Sequence, residues 1–255
     1  MATTFLIPSS DPALLEKATQ IAKDFVQPFL RDDVVGIVFL GAVARGYFDR
    51  SADIDVAIFT KPKSDLTLPK FRKVDGLEIQ VWISDYESER AGAWDMPKRW
   101  TYSQNWIFFD PSGKISELIR DKVPLKPEER KWLMMSGLML SEWYVRGLTA
   151  LWVDRGNILS AHQMIDQGLV YFYDMLSGLN GQLVADMKWR YYCVEQLERL
   201  PRDFRDRIRD VLIVHSLSLE ELERRKTAFL EMWEEMRPVV EQETRLTYDE
   251  MEQLV

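Results

Sequence analysis

Val34–Leu40 is a run of seven residues that contains no charged or polar side chain. An uninterrupted apolar run this short predicts a strand that is buried on both of its faces. A strand of this kind needs neighbouring strands and covering helices, so it favours a layered domain of sheet and helices. Gly41 follows the run directly, and we expect residues 41–47 to turn into a short helix.

The segments around this strand fit such a domain. Residues 53–59 and 77–83 alternate apolar with polar side chains, which is the period of a strand with one buried face. Trp106–Phe109 is a shorter apolar run that predicts a further strand. Upstream, Asp11 is a good N-cap and Pro12 fits the first helical position, so the sequence predicts a helix that begins there.

The sequence changes character near residue 124. Residues 1–124 show the short runs and turn signals of a mixed α/β domain, whereas residues 125–255 show helical periodicity almost to the end. Pro127 opens the first of four or five predicted helices, which runs towards Gly156. Three pairs fit a capping box: Ser160 with Gln163, Ser218 with Glu221, and Thr247 with Glu250. The predicted class is α+β, with an N-terminal domain of mixed β-sheet and flanking helices followed by a C-terminal all-α helical bundle.

Net charge narrows the class of substrate. The formal charge of −8 is unfavourable for tracking along a nucleic-acid backbone, and it suits a cationic small substrate. Residues 1–124 carry 16 basic and 18 acidic side chains, and the remaining residues carry 17 and 23. The acidity therefore lies mainly in the second half of the chain.

The single cysteine, Cys193, rules out an internal disulfide and a cysteine-cluster metal site. The N-terminal residues have no basic region and no apolar run long enough for a signal peptide. No stretch reaches the apolar length that a membrane span requires. We therefore expect a cytoplasmic protein without a membrane partner, and the oligomeric state is left open.

Asp53 and Asp55 point most directly to chemistry. Side chains two apart on a strand share a face, so these carboxylates project together and repel each other unless a cation lies between them. Mg²⁺ suits such a pair, because it takes a few carboxylates together with substrate phosphates and water. Glu78 lies on the polar face of another predicted strand and would complete a two-metal site if the two strands are neighbours. Backbone N–H groups after Gly41 are candidates to hold the phosphates of a nucleotide.

The simpler alternative is that acidic residues at every second position form the solvated side of an amphipathic strand. For Asp53 and Asp55 alone the two interpretations are balanced. Aspartate is disfavoured in strands, so two within one strand need a reason. The order of Gly41-Ala42, the aspartate pair and Glu78 along the chain favours the metal site.

This combination resembles the DNA-polymerase-β-like nucleotidyltransferase superfamily, and its two-domain plan resembles that of bacterial antibiotic adenylyltransferases acting on aminoglycosides or lincosamides. The resemblance lies in these segments: Gly41-Ala42 separated by ten residues from Asp53-Ile54-Asp55-Val56, Ala44-Arg45-Gly46, Leu77-Glu78-Ile79, Asp110-Pro111-Ser112-Gly113, and Leu179-Asn180 followed by Lys188-Trp189. It covers nearly the whole chain and is strongest for residues 36–56.

The resemblance implies a Mg²⁺-dependent transfer of a nucleoside monophosphate, AMP from ATP, to a hydroxyl of a small molecule of aminoglycoside-like or lincosamide-like type. In the implied catalytic domain, residues 1–124, the carboxylates of Asp53, Asp55 and Glu78 would be catalytic and would bind two Mg²⁺ ions. The turn that begins at Gly41 would hold the triphosphate.

Three further residues are candidates for ligand contact. In the implied helical substrate-binding domain, residues 125–255, Lys188 would reach the nucleotide phosphates and Glu142 would act as general base on the acceptor hydroxyl. The alternative for Lys188 is a solvated surface lysine. The alternative for Glu142 is an ion pair with Arg146, one helical turn further on, and for Glu142 we favour this ion pair. In the catalytic domain, Arg45 would touch a phosphate or close the loop and helix through a salt bridge, and we favour the salt bridge.

Ala42, whose backbone belongs to the implied phosphate-binding turn, departs from the family pattern. The family has a serine there, and losing its hydrogen bond to a terminal phosphate costs roughly 1.5–3 kcal/mol, which would weaken nucleotide binding without abolishing it. The serine expected directly before Asp53 is also displaced, because Ser51 stands two residues before it. Two alternatives stay open: an enzyme that modifies a protein or tRNA, of which the acidic charge counts against tRNA, and a nucleotide-binding module without catalysis.

Overall fold

The computed structural model of the protein describes residues 7–255. The chain divides into two compact units, Met1–Pro124 and Leu125–Val255. The first contains a five-stranded mixed sheet with flanking helices and the second is helical, which confirms the predicted α+β class. Residues 1–6, part of the segment that we interpreted as lacking a signal peptide, lie outside the described residues.

The first unit intersperses helices among its strands. Its helices are α1 (Pro12–Val26) with a 3₁₀ turn at Gln27–Phe29, α2 (Gly41–Arg45), α3 (Tyr86–Ala91), α4 (Met96–Ser103) and α5 (Lys114–Lys122). Its strands are β1 (Val34–Leu40), β2 (Ile54–Thr60), β3 (Phe71–Val74), β4 (Leu77–Asp85) and β5 (Trp106–Phe109).

The five strands form one sheet in the order β3-β4-β2-β1-β5. Strands β2 and β4 run parallel, and the pairs β1–β2, β1–β5 and β3–β4 are antiparallel. Every residue of β1 is buried, as its uninterrupted apolar sequence predicts. Because β1 and β2 are antiparallel neighbours, the end of β1 at Leu40 lies beside the beginning of β2 at Asp55.

The strands and the first helix that the sequence predicts are present. The carboxylate of Asp11 accepts hydrogen bonds from the backbone N–H groups of Ala13 and Leu14, as an N-cap does, and α1 begins at Pro12. Strand β3 and helices α3, α4 and α5 are additional to the predicted elements. Strand β3 has four residues, two of them charged, and α3 has six residues, so neither is long enough for a clear periodicity.

One face of the sheet is covered by the helices that follow β4. Ala57 and Phe59 of β2 belong to a buried cluster that includes Tyr86 of α3 and Ile115 of α5. Because side chains alternate along a strand, Asp55 projects to this same face, next to the apolar cluster and at the end of the strand. The fold therefore places the aspartate at the margin of a core, where it is half-buried.

The second unit contains two long helices, α8 and α11, among several short ones. Its elements are α6 (Pro127–Glu142), a π-helical segment (Trp143–Leu148), α7 (Thr149–Asp154), α8 (Ile158–Leu179), a 3₁₀ turn (Met187–Trp189), α9 (Arg190–Val194), α10 (Phe204–Leu212), α11 (Leu219–Thr244) and α12 (Tyr248–Glu252). Helices α6, α8 and α11 surround one core, in which the indole N–H of Trp233 donates to the carbonyl of Leu138. Between residues 7 and 255, no helix has both the length and the apolar character needed to cross a membrane.

The helical course that begins at Pro127 continues to Asp154, as the sequence predicts, but six of its residues are π-helical. Gly168 of α8 lies against this segment, where a Cβ would be 2.4 Å from the Val145 side chain and 3.0 Å from the carbonyl of Ser141. A larger residue at 168 would therefore collide with the wide turn. The close packing of α8 on the π-helical segment depends on this glycine.

One of the three predicted capping boxes forms in full, at the start of α12, where Thr247 and Glu250 satisfy each other's backbone N–H groups. Ser218 caps α11, but the glutamate of its predicted box is bound elsewhere. The prediction for Ser160 is wrong. Asn157 caps α8 instead, and its side chain accepts from the backbone N–H of Ser160. Both residue types cap helices well, and the asparagine comes first in the chain.

Candidate functional site

The turn after β1 is built on Gly41. Its φ of +55° lies in the left-handed region, which suits glycine, and a Cβ there would be 1.8 Å from Oδ2 of Asp55. The Asp55 carboxylate therefore packs directly against the backbone of the turn. Helix α2 begins at the same residue and is closed by Gly46, whose φ of +78° is also left-handed.

The register of the sheet brings the predicted carboxylates to the same end of neighbouring strands. Strands β2 and β4 are parallel and pair Asp55 with Gln80. The ladder begins with Ile54 and Ile79, which Asp53 and Glu78 directly precede. Asp53 and Asp55 are half-buried, and Glu78 is exposed. The two strands are thus neighbours, which is the condition that the sequence analysis attached to Glu78.

These carboxylates do not form a closed metal cage. Within residues 7–255, no group of three or more histidine, cysteine, aspartate or glutamate side chains is placed to hold a metal ion. Mg²⁺ does not require such a cage, because it is usually bound by one or two carboxylates together with substrate phosphates and water. Asp53 and Asp55 beside a backbone turn fit this mode of binding. The participation of Glu78 stays a prediction.

Arg45, at the end of α2, lies between aromatic side chains. Its guanidinium carbon is 4.0 Å from the ring centroid of Trp100 in α4, where the cation stacks on the indole. The pKa of the Tyr47 hydroxyl is raised to about 12, mainly by burial and less by the charges of Asp49 and Asp55, while the charge and hydrogen bond of Arg45 offset part of this rise. Arg45 therefore connects α2 to α4 next to Asp55, and its contact with a phosphate stays a prediction.

The two positions that depart from the family pattern are occupied differently. Ala42 is buried, with 4% of its surface exposed, and its carbonyl accepts from the backbone N–H of Tyr47. A hydroxyl at this position would be largely desolvated and would need a partner. Ser51 is exposed in the turn before β2, where its backbone N–H donates to the Asp49 carboxylate over 2.8 Å.

Glu142, the candidate base for the acceptor, has partners within its own unit for both carboxylate oxygens. Oε1 is 2.8 Å from Nε of Arg146, and Oε2 accepts from the Tyr248 hydroxyl over 3.1 Å. The ion pair that the sequence analysis favoured is therefore present. Lys188 is exposed in the 3₁₀ turn of the second unit, and its contact with a nucleotide stays a prediction.

Three residues near the turn were not among the predicted site residues: Tyr47, Gln80 and Trp100. A local signal exists for the first two. Tyr47 directly follows the glycine that closes α2, and Gln80 follows Glu78 on the polar side of β4. Trp100 approaches Arg45 only through the packing of α4, a helix that the sequence analysis did not predict.

No protein-family model matches the chain, and no curated protein matches it significantly. Among solved structures, the chain is similar to a nucleotidyltransferase-like protein from Exiguobacterium sibiricum 255-15. The two share 12% identity with a TM-score of 0.49, over 90% of this chain and 78% of that one. A similarity this distant carries no argument about function, which must come from the residues of this chain.

Proposed function

We propose that the first unit is the catalytic part of a Mg²⁺-dependent nucleotidyltransferase that transfers AMP from ATP to a hydroxyl of a small molecule. The observation that carries this proposal is the contact of the Asp55 carboxylate with the Gly41 turn. A carboxylate and a backbone turn with N–H groups are thereby adjacent, which suits a complex of a divalent metal with a triphosphate.

The residues have separate tasks in this proposal. Asp53 and Asp55 would hold Mg²⁺, with Glu78 as a third carboxylate, and the metal when bound neutralises phosphate charge. The backbone of Gly41 and Ala42 binds the triphosphate. Catalysis then consists mainly of positioning and charge stabilisation. The acceptor oxygen bonds to the α-phosphorus, the bond from that phosphorus to pyrophosphate breaks, and the hydroxyl proton passes to a base or to water.

Charge supports a cationic acceptor. The chain has a formal charge of −8, and most of the acidic excess lies in its second half. Such a charge attracts cations and repels a nucleic-acid backbone. An amine-bearing acceptor of aminoglycoside-like or lincosamide-like type fits this balance better than tRNA does.

Calorimetric titration with ATP, with and without Mg²⁺, tests the first half of the proposal. Pyrophosphate release with a panel of aminoglycosides and lincosamides tests the second. We expect ATP to bind only with Mg²⁺, and pyrophosphate to appear only when an acceptor is present. The proposal fails if none of the common nucleoside triphosphates binds in a Mg²⁺-dependent manner.

A nucleotide-binding module without catalysis is the second candidate. The buried Ala42 in the place of a serine favours it, because one expected phosphate contact is missing. The same assays separate the two candidates, since the module would bind ATP with Mg²⁺ and release no pyrophosphate with any acceptor. An enzyme that modifies a protein or tRNA would instead transfer label from α-labelled ATP to a macromolecule.

A further inference from the structure

A groove lies at the end of the first unit's sheet where β1 begins and where β2 and β5 end. It encloses about 350 Å³ and is bordered by Leu30, Val34, Lys61, Phe109 and Lys114. This volume is in the lower part of the range of small-ligand sites, roughly 300–1,000 Å³. The groove is therefore large enough for a small organic molecule.

The groove is remote from the candidate catalytic site. Val34 borders the groove, whereas Leu40 lies at the other end of β1, next to Gly41. Six steps of about 3.3 Å along an extended strand separate these ends, which is about 20 Å. A small ligand in the groove therefore cannot reach Asp55, and an inference about the groove does not rest on the proposed function.

Two ammonium groups at the groove have no carboxylate partner. Arg31, which also borders it, pairs with Asp33 and Asp65 over 2.9 and 2.8 Å. By contrast, Lys61 and Lys114 are exposed and form no ion pair with any residue of the described part of the chain, and Nζ of Lys114 lies 5.4 Å from the ring centroid of Tyr86. Two positive charges without an ion-pair partner, in a chain whose formal charge is −8, favour an anionic ligand.

The remaining wall of the groove is largely apolar. Leu30 has 40% of its surface exposed, and Val34, Phe109 and Pro111 continue the apolar lining. Asp32 is exposed at the rim and compensates at most one of the lining cations. A ligand that matches both features has an anionic head and a short apolar chain.

The N-terminus of α5 also borders the groove, but it is already occupied. The Asp110 carboxylate accepts from the backbone N–H groups of Ile115 and Ser116 over 3.2 and 2.9 Å. These two groups are not available to a ligand. Recognition of an anionic head therefore depends on the lysine side chains.

We propose that this groove binds a small amphipathic organic anion, a carboxylate or phosphate monoester on a short aliphatic chain. Lys61 and Lys114 bind the head through charge-assisted hydrogen bonds, of which each ammonium group can donate up to three. Leu30 and Phe109 contact the chain and remove its apolar surface from water. Both contacts are needed, because exposed lysines alone bind any anion weakly.

Octanoate and octyl phosphate are suitable probes, and 1-octanol and octylammonium carry the same chain without an anionic head. Each is titrated below its micelle concentration into the full chain, and binding is followed by calorimetry. We expect saturable binding of at least one anion, about tenfold tighter than that of 1-octanol, because a charged hydrogen-bonding group is gained. The tighter of the two anions identifies the head group, and octylammonium should not bind.

Variants locate the binding to the groove. The double variant Lys61→Gln/Lys114→Gln should weaken binding of the tighter anion by about tenfold or more. Lys131→Gln, which removes an exposed lysine of α6, is the matched control and should change nothing. The proposal is overturned by a lack of saturable anion binding, by equal affinity for 1-octanol, or by full affinity in a folded double variant. None of these results bears on ATP binding at the other end of the sheet.

Discussion

The two units treat their charged side chains differently. In the second unit, arginines bind carboxylates that are far away in sequence, as Arg225 binds Asp166 and as two arginines bind Glu243. In the first unit, Asp53 and Glu78 have neither an ion pair nor a hydrogen bond to any residue between 7 and 255. The first unit also pairs charges over a distance, as Arg31 binds Asp65, but it leaves these two carboxylates unpaired at the end of its sheet.

This difference distinguishes between candidate site residues that are of the same chemical type. Glu142 and Asp53 are both carboxylates that the sequence singles out, yet only Glu142 is bound within the fold. Asp53 stands directly before β2 and two residues from Asp55, and like charges this close repel each other, so the unpaired charge of Asp53 has a cost. A charge with a cost and no partner is therefore the stronger candidate for ligand binding.

Removal of an unpaired carboxylate should reduce activity and not stability. We expect Asp53→Asn to lower the rate of pyrophosphate release by about 100-fold or more, because stabilisation of charge in the transition state is lost. The free energy of unfolding should stay the same or rise, since repulsion with Asp55 is relieved. Kinetics and denaturant unfolding on one sample measure both. Asp121→Asn in α5 is the control, and near-normal turnover of Asp53→Asn would refute the site.

Removal of a paired, buried charge should do the opposite. Arg225 is 1% exposed and donates to the carbonyl of Val211 over 2.7 Å and to Asp166 over 2.5 Å. We expect Arg225→Leu to lower the free energy of unfolding by about 3 kcal/mol, because it leaves these groups without a donor. Urea unfolding measures the change. Arg202→Leu, at a guanidinium 84% exposed and 4.0 Å from Asp203, should cost less than about 0.5 kcal/mol. If both variants lower the free energy of unfolding equally, the contrast between a buried paired charge and an exposed one is refuted.

Asp174 in α8 should make the stability of the second unit depend on pH. Burial raises the pKa of its carboxyl to about 6, and Arg190, with Nη1 3.4 Å from Oδ1, offsets only part of this. The ordinary value is about 3.9, so between roughly pH 4 and 6 the folded chain keeps a proton that the unfolded chain has released. Raising the pH through this window removes the proton and lowers the free energy of unfolding, by at most about 3 kcal/mol.

Asp174→Asn should flatten that decline, because the amide does not titrate. Denaturant unfolding of the parent and the variant at several pH values between about 4 and 7 measures the two slopes. Asp154→Asn, near the end of α7, is the control and should keep the slope of the parent. If the parent and Asp174→Asn lose stability equally over this window, the carboxyl is not the cause.

The smallest expected effect concerns the missing hydroxyl at Ala42. If the turn binds a phosphate, Ala42→Ser should tighten binding of ATP with Mg²⁺ by up to about tenfold, which is about 1.4 kcal/mol. Without a phosphate partner, a hydroxyl at this buried position should only lower the free energy of unfolding. Calorimetric titration decides, with Ala44→Ser at a half-buried position of α2 as control. Unchanged or weaker ATP binding would exclude the phosphate contact.

Local signals account for most of what could be predicted of the fold. An apolar run such as Val34–Leu40, an N-cap such as Asp11 and the alternation of β2 each specify structure within a few residues. The pairing of β2 with β4 is different, because it joins residues that a crossover separates. That Asp53 and Glu78 come to the same end of neighbouring strands follows from this parallel register, which the sequence left as a condition.

The same distinction between local signals and long-range packing applies to the candidate site. That Asp53 and Asp55 share a face follows from the period of a strand alone. The contact of Asp55 with the Gly41 turn arises from tertiary packing, and no pattern in one sequence encodes it. Glu142 shows both cases, since its partner one helical turn away was predicted, whereas Tyr248, 106 residues away, was not.

The π-helical segment Trp143–Leu148 affects which side of the helical course from Pro127 to Asp154 faces the core. Each residue turns an α-helix by about 100°, so a residue inserted or deleted in it rotates everything beyond that point by the same angle. A π turn takes up one residue more than an α turn, and here Leu138 before it and Thr149 after it are both buried. The π-helical segment is therefore a site where one residue can be gained or lost while the buried side of the helical course still faces the core.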